Sequence, residues 1–171
     1  LNGDLLNALD VTAFLASHRK ARADVSIALT RVKDPTLYGL VETDEAGRVR
    51  RFLEKPSWDE ITCNTVNAGA YLFEPVVLGN IPKGVPYSLE RGLFPHLLES
   101  GRRLNGFVMK GYWIDIGTVE KYLQVHLDVL GGQAPFKPSG LKRLRGFDAG
   151  TGVRIGAEVT RQGAGRVVLG R

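Results

Sequence analysis

A chain of 171 residues, 43% of them hydrophobic and with a formal net charge of +5, is long enough to bury a core of its own in one main domain with a small appendage. One cysteine, Cys63, excludes an internal disulfide, and three scattered histidines, His18, His96 and His126, exclude a zinc site built on Cys/His spacing. No apolar run approaches a membrane span, no basic-then-apolar leader opens the chain, and the basic residues are dispersed. Membrane and nucleic-acid partners are therefore not expected; an anionic small ligand and a reducing, cytoplasmic setting are.

Leu1 to Leu6 reads as the end of a core strand entering a turn, an unusual place for a domain to open, so the chain is expected to lack an N-terminal half. Val11, Phe14, Leu15 and His18 then recur at helical spacing behind Asp10, which predicts a capped amphipathic helix over 11–22. Val25 to Val32 alternates as a strand and breaks at Lys33-Asp34-Pro35. Residues 38–43 and 48–54 form a predicted hairpin around the turn Asp44-Glu45-Ala46-Gly47. Val66 to Phe73 is the next strand, and Glu74-Pro75 opens a short helix to about Leu78.

Ser88 starts a helix with Leu89, Leu93, Leu97 and Leu98 on its apolar side, which Pro95 should bend or interrupt and which Gly101 follows. Strands are predicted over 104–110 and 112–115, and Thr118 caps a last helix expected to bury Tyr122, Leu123, His126 and Leu130. Alternating strands and helices give the α/β class over 1–131. Residues 132–152, rich in Gly, Pro and basic side chains, read as a linker. Over 153–171 the Ile155-Gly156 pair suggests the start of a hexapeptide β-solenoid, although the six-residue spacing is only partly kept.

Glu54-Lys55-Pro56 ends an apolar strand with a carboxylate and an ammonium side by side. On a continuing strand the two would point to opposite faces, so they meet one ligand only if the chain turns there, and proline enforces an ending. A Glu accepting from sugar hydroxyls beside a Lys neutralising a phosphate suits a phosphorylated sugar, whereas the plain alternative is a charged strand end before a turn. Asp4 and Asp115 each follow a strand end, where ligands of open α/β sheets bind. Two carboxylates suit Mg²⁺, which takes its remaining oxygens from phosphates; the alternative for each is a helix cap or turn.

Asn2-Gly3-Asp4, Tyr38-Gly39, Glu54-Lys55-Pro56, Asn67-Ala68-Gly69-Ala70-Tyr71 and Gly111-Tyr112-Trp113-Ile114-Asp115-Ile116-Gly117-Thr118 occur in the order and rough spacing of the sugar-1-phosphate nucleotidyltransferases. Over residues 1–131 the chain resembles that family, the mannose-1-phosphate guanylyltransferase branch most, and its tail resembles the start of the left-handed β-helix that many members carry. The resemblance implies a three-layer, Rossmann-like nucleotide-diphospho-sugar transferase fold with a mixed, mostly parallel sheet. It implies that Asp4 and Asp115 are Mg²⁺ ligands, that the Gly39 backbone approaches the sugar phosphate, that Glu54 accepts from sugar hydroxyls, that Lys55 holds the sugar-1-phosphate, and that Asn67 is a second sugar contact. The implied reaction joins a sugar-1-phosphate to a nucleoside triphosphate, giving a nucleotide-sugar such as GDP-mannose and pyrophosphate.

The family's Gly-rich, Arg-bearing triphosphate loop has no counterpart between residues 1 and 171. The chain is thus expected to supply the sugar-phosphate and metal half of a site, to be inactive alone, and to form a homo-oligomer or pair with the missing portion. Two other readings remain: a non-catalytic sugar-phosphate-binding or regulatory paralogue, and a hexapeptide acyltransferase supported by the tail alone.

Overall fold

Strand β2 (Val25–Arg31) buries six of its seven residues, so both of its faces are covered. In the computed structural model, which describes residues 2–136, it lies inside a five-stranded sheet of order β4-β3-β5-β2-β6. The other members are β3 (Gly39–Thr43), β4 (Val49–Glu54), β5 (Thr65–Phe73) and β6 (Leu104–Val108). On one face Phe14 of helix α1 (Val11–Ala21) fills the space left by the small side chains Ala28, Ala68 and Ala70, with Phe107 beside it at 5.3 Å between ring centroids. On the other, Val25, Ile27 and Leu29 pack with Phe52, Leu93, Phe94 and Leu97, the last two from helix α2 (Phe94–Glu99). Helix, sheet and helix form the three layers expected.

The sheet is mixed, but the expectation that it is mostly parallel is overturned. Only β2 and β6 run parallel; β3–β4, β3–β5 and β2–β5 are antiparallel. The physical reason is strand order: β5 is inserted between β2 and β3 and runs opposite to both, β4 folds back on β3 through the hairpin, and only β6 lies beside a strand of its own direction.

The predicted turns are present. Asp10 caps α1 by accepting from the Ala13 amide at 2.9 Å. In the hairpin turn Asp44 Oδ1 accepts from the amides of Ala46 and Arg48 at 3.0 and 2.9 Å, and Gly47 adopts φ +82°. A bulge follows, with Glu42 opposite Arg51 and Thr43 opposite Val49. It lets Val49 and Phe52 both face the core while Arg50 and Arg51 stay in water. Pro95 interrupts the Ser88 helix as anticipated: a π-helical turn over Leu89–Leu93 gives way to α2, with the proline in its first turn, where a missing amide costs little.

The described residues divide into two compact units, one of residues 2–3 and 7–113 and the other of 4–6 and 114–136. Strands β1 (Leu5–Asn7) and β7 (Trp113–Asp115) pair as a two-stranded ribbon. Thr118 caps α3 (Val119–Leu130) through the Lys121 amide, as expected. The burial expected for Tyr122, Leu123 and His126 is overturned, while the Leu130 side chain lies outside what is described. Tyr122 and Leu123 are 52% and 58% exposed and His126 is exposed, whereas Val125 and Asp128 are buried. Helical spacing tells which apolar residues share a face, not whether anything covers that face.

No helix among the described residues is long and apolar enough to cross a membrane. The linker beyond residue 136 and the solenoid-like tail expected over 153–171 lie outside the described residues.

Candidate functional site

The β3–β4 hairpin carries Gly39, Glu54 and Lys55 to one end of the sheet. Gly39 pairs with Glu54 across the ladder, and the Lys55 amide donates to the Tyr38 carbonyl at 3.1 Å. Lys55 then leaves the extended conformation with φ +51°, one of two non-glycine residues with positive φ among those described. A left-handed lysine costs on the order of 1 kcal/mol, and such strain gathers at functional sites. Its consequence is the break in alternation that the sequence called for, so Glu54 and Lys55 are not sent to opposite faces. Lys55 is exposed and Glu54 half-buried.

Burial raises the Glu54 carboxyl above its ordinary range, and the negative charge of Glu90 adds to the rise, while Lys55 and Arg91 pull the other way to a smaller extent. Three charged groups thus act on Glu54 at this sheet end.

The structure gives a different reason for glycine at position 39. A Cβ there would stand 2.8 Å from the Phe52 ring and 3.0 Å from Glu54 Oε2. Glycine is therefore needed to seat the side chains of β4, whatever else approaches its backbone.

Asn67 lies on β5 where three residues, 68–70, oppose Ala28 of β2. Its Oδ1 accepts from the Gly69 amide at 3.0 Å, bracing this bulge at a glycine with φ +72°. Its Nδ2 donates to the Tyr71 hydroxyl at 2.9 Å and reaches Glu90 Oε1 at 3.5 Å, and Tyr71 donates to the same Oε1 at 3.1 Å. Burial raises the Tyr71 pKa well above its usual value, which keeps the phenol protonated as a donor.

Glu90 and the role of Tyr71 were missed by sequence reasoning. An acid in the first turn after Ser88 has an ordinary explanation in the helix dipole, which hides any other use. The usable signal was the spacing of Asn67 and Tyr71, which share one face of a strand at i and i+4.

In the other unit, Asp4 is exposed and its carbonyl accepts from the Ile116 amide at 2.9 Å, which brings it beside the end of β7. Asp115 Oδ1 accepts from the Gly117 amide at 2.9 Å, and Oδ2 lies 3.6 Å from Lys121 Nζ. The turn-closing role weighed for Asp115 is therefore real. The donor types suit Mg²⁺, two hard carboxylates on segments joined by the bond between the Asp4 carbonyl and the Ile116 amide, with Asp115 Oδ2 in a long ion pair to Lys121. No group of three or more His, Cys, Asp or Glu side chains suited to a metal occurs among the described residues.

The model of the Nucleotidyl transferase family matches residues 1–131. The chain belongs to that family. It is 41% identical to a mannose-1-phosphate guanylyltransferase of Mycobacterium tuberculosis over 99% of this chain and 46% of the relative. It is 39% identical to a UTP–glucose-1-phosphate uridylyltransferase of Synechocystis sp. over 76% of this chain and 34% of the relative. Among solved structures, HddC from Yersinia pseudotuberculosis superposes with a TM-score of 0.59 at 27% identity, covering 72% of this chain and 51% of that one. The nucleotidyl transferase match spans all six candidate residues, Asp4, Gly39, Glu54, Lys55, Asn67 and Asp115. The chain spans less than half the length of these two curated relatives.

Proposed function

We propose that this chain supplies the sugar-phosphate and metal half of a sugar-1-phosphate nucleotidyltransferase, with mannose-1-phosphate and GTP as the favoured substrates. The observation that carries the reading is the end of β4, where a left-handed Lys55 turns the backbone just after a half-buried Glu54. Lys55 neutralises the sugar phosphate, Glu54 accepts from ring hydroxyls, the Gly39 backbone lies against the ligand, and Asn67 serves the sugar side through its bonds to Tyr71 and Glu90. The 41% identity to a guanylyltransferase acting on mannose-1-phosphate supports the choice of sugar and base.

In the reaction a phosphate oxygen of the sugar-1-phosphate bonds to the α-phosphorus of the triphosphate. The bond to the β-phosphate oxygen breaks and pyrophosphate leaves with the electron pair. The attacking oxygen is already ionised, so no general base is needed, and positioning with charge neutralisation carries the rate. Asp4 and Asp115 would hold Mg²⁺, which supplies neutralisation of phosphate charge.

The test is calorimetric titration of mannose-1-phosphate, mannose and inorganic phosphate into the purified protein. Mannose-1-phosphate is expected to bind more tightly than either part. Lys55→Ala should weaken it by about tenfold or more, the worth of a charged hydrogen bond. No binding by the parent protein, or full binding by Lys55→Ala, refutes the reading. Pyrophosphate release by the 171-residue chain with GTP and mannose-1-phosphate would refute the half-site part of it.

A further inference from the structure

The sugar side of this site contains one carboxylate more than the motif residues account for. Glu90 projects from the π-helical turn Leu89–Leu93, and its charge acts on Glu54 across the end of the sheet. Its Oε1 accepts from Tyr71 at 3.1 Å and lies 3.5 Å from Asn67 Nδ2, and its Oε2 receives the Ser88 hydroxyl at 3.3 Å. Each carboxylate oxygen can accept about two hydrogen bonds, so Oε2 keeps capacity for another donor.

Asn67 is in the opposite condition. Its oxygen accepts from the Gly69 amide, and its amide hydrogens are directed to Tyr71 and Glu90. A carboxamide has two N–H donors, so no donor is left for a ligand, although the oxygen can still accept once more. Tyr71 likewise gives its single hydroxyl proton to Glu90. The donors of Asn67 and Tyr71 are thus spent on orienting one carboxylate.

From this geometry we propose that Glu90, together with Glu54, accepts hydrogen bonds from hydroxyls of the hexose ring, and that Asn67 and Tyr71 are positioning residues that aim Glu90 rather than donors to the sugar. The inference rests on the sugar-1-phosphate reading of the site. Two carboxylates without a bound metal disfavour each other, and a neutral ligand presenting several hydroxyl donors relieves that opposition by hydrogen-bonding to both. A sugar ring has this chemistry, whereas a second phosphate would be repelled. Glu90 and Glu54 therefore read the sugar while Lys55 reads its phosphate.

The experiment compares binding of mannose-1-phosphate and its monodeoxy analogues, each lacking one ring hydroxyl, to the parent protein, Glu90→Gln, Tyr71→Phe and Lys55→Ala. Ratios between ligands are taken within each variant, so a reduced folded fraction cancels. Glu90→Gln is expected to weaken the parent ligand about tenfold and to leave unchanged the analogue that lacks the hydroxyl Glu90 accepts. Tyr71→Phe should show the same ligand pattern at smaller amplitude, and the double variant should be no worse than Glu90→Gln alone. Equal weakening of every ligand by Glu90→Gln, or none, overturns the inference. If Lys55→Ala still weakens all the ligands in that case, the sugar-1-phosphate reading survives without it. If the parent protein binds no sugar phosphate, both fall.

Discussion

Gly39→Ala isolates the steric demand of the site from its chemistry. The new methyl would lie 2.8 Å from Phe52 Cζ, 3.3 Å from Cε1 and 3.0 Å from Glu54 Oε2. The Glu54 carboxylate can swing away, but Phe52 is buried and its ring centroid stands 5.3 Å from that of Phe94, so the ring has no empty space to enter. Overpacking of a tight core costs about 1–3 kcal/mol. Against it stands a gain of about 0.4–1 kcal/mol from stiffening the unfolded chain, since the backbone at 39 is one alanine can adopt. The net expectation is a loss of about 1–2 kcal/mol, or roughly 3–6 °C in Tm for a domain of this size.

Urea unfolding followed by circular dichroism measures the stability, and mannose-1-phosphate titration follows Glu54 in the same sample. Adding Phe52→Leu to Gly39→Ala should restore room, so the double variant should be more stable than the sum of the two single losses by over 0.5 kcal/mol, on the order of a direct coupling. A Gly39→Ala protein as stable as its parent would refute the packing argument.

Ser26 is fully buried and joins His18 Nδ1 at 2.8 Å to Asn105 Nδ2 at 3.2 Å, so Ser26→Ala takes the partner from the buried His18 nitrogen, while the Asn105 amide keeps Ser17 Oγ at 3.2 Å. Its unfolding midpoint should fall by the equivalent of about 1–3 kcal/mol, and an unchanged midpoint would mean that water replaces the hydroxyl. Because burial and Glu90 raise the Glu54 carboxyl, the folded state binds that proton more tightly than the unfolded one. Stability is then lost as pH climbs from the ordinary carboxylate range through the raised value, and the loss persists above it. Glu54→Gln should therefore be more stable than the parent at pH 7, with the advantage vanishing below a pH of about 4 in unfolding measured across pH.

Most of the local structure was legible in the sequence because its signals are local. Asp10 and Thr118 cap helices with their own side chains, Asp44 and Gly47 build the hairpin turn, and Pro95 ends any regular helix wherever it sits. The six candidate residues are proposed from short motifs in a characteristic order, and the match to the family spans all of them. The sheet's mainly antiparallel pairing was not readable, because neighbour strands are chosen by connections and packing that hydrophobic alternation leaves open. Nor was the exposure of Tyr122 and Leu123, which depends on what covers a face and not on its composition.

The sequence by itself determined that Glu54 and Lys55 stand together where a strand stops before Pro56, because proline chemistry acts on its nearest neighbours. Only the tertiary structure decided what surrounds them. The left-handed turn at Lys55, the ring of Phe52 that forbids a side chain at 39, and the bond from Tyr71 that aims Glu90 join residues distant along the chain. Such contacts carry no periodicity or spacing of their own, and they exist only once the sheet and the π-helical turn are packed together.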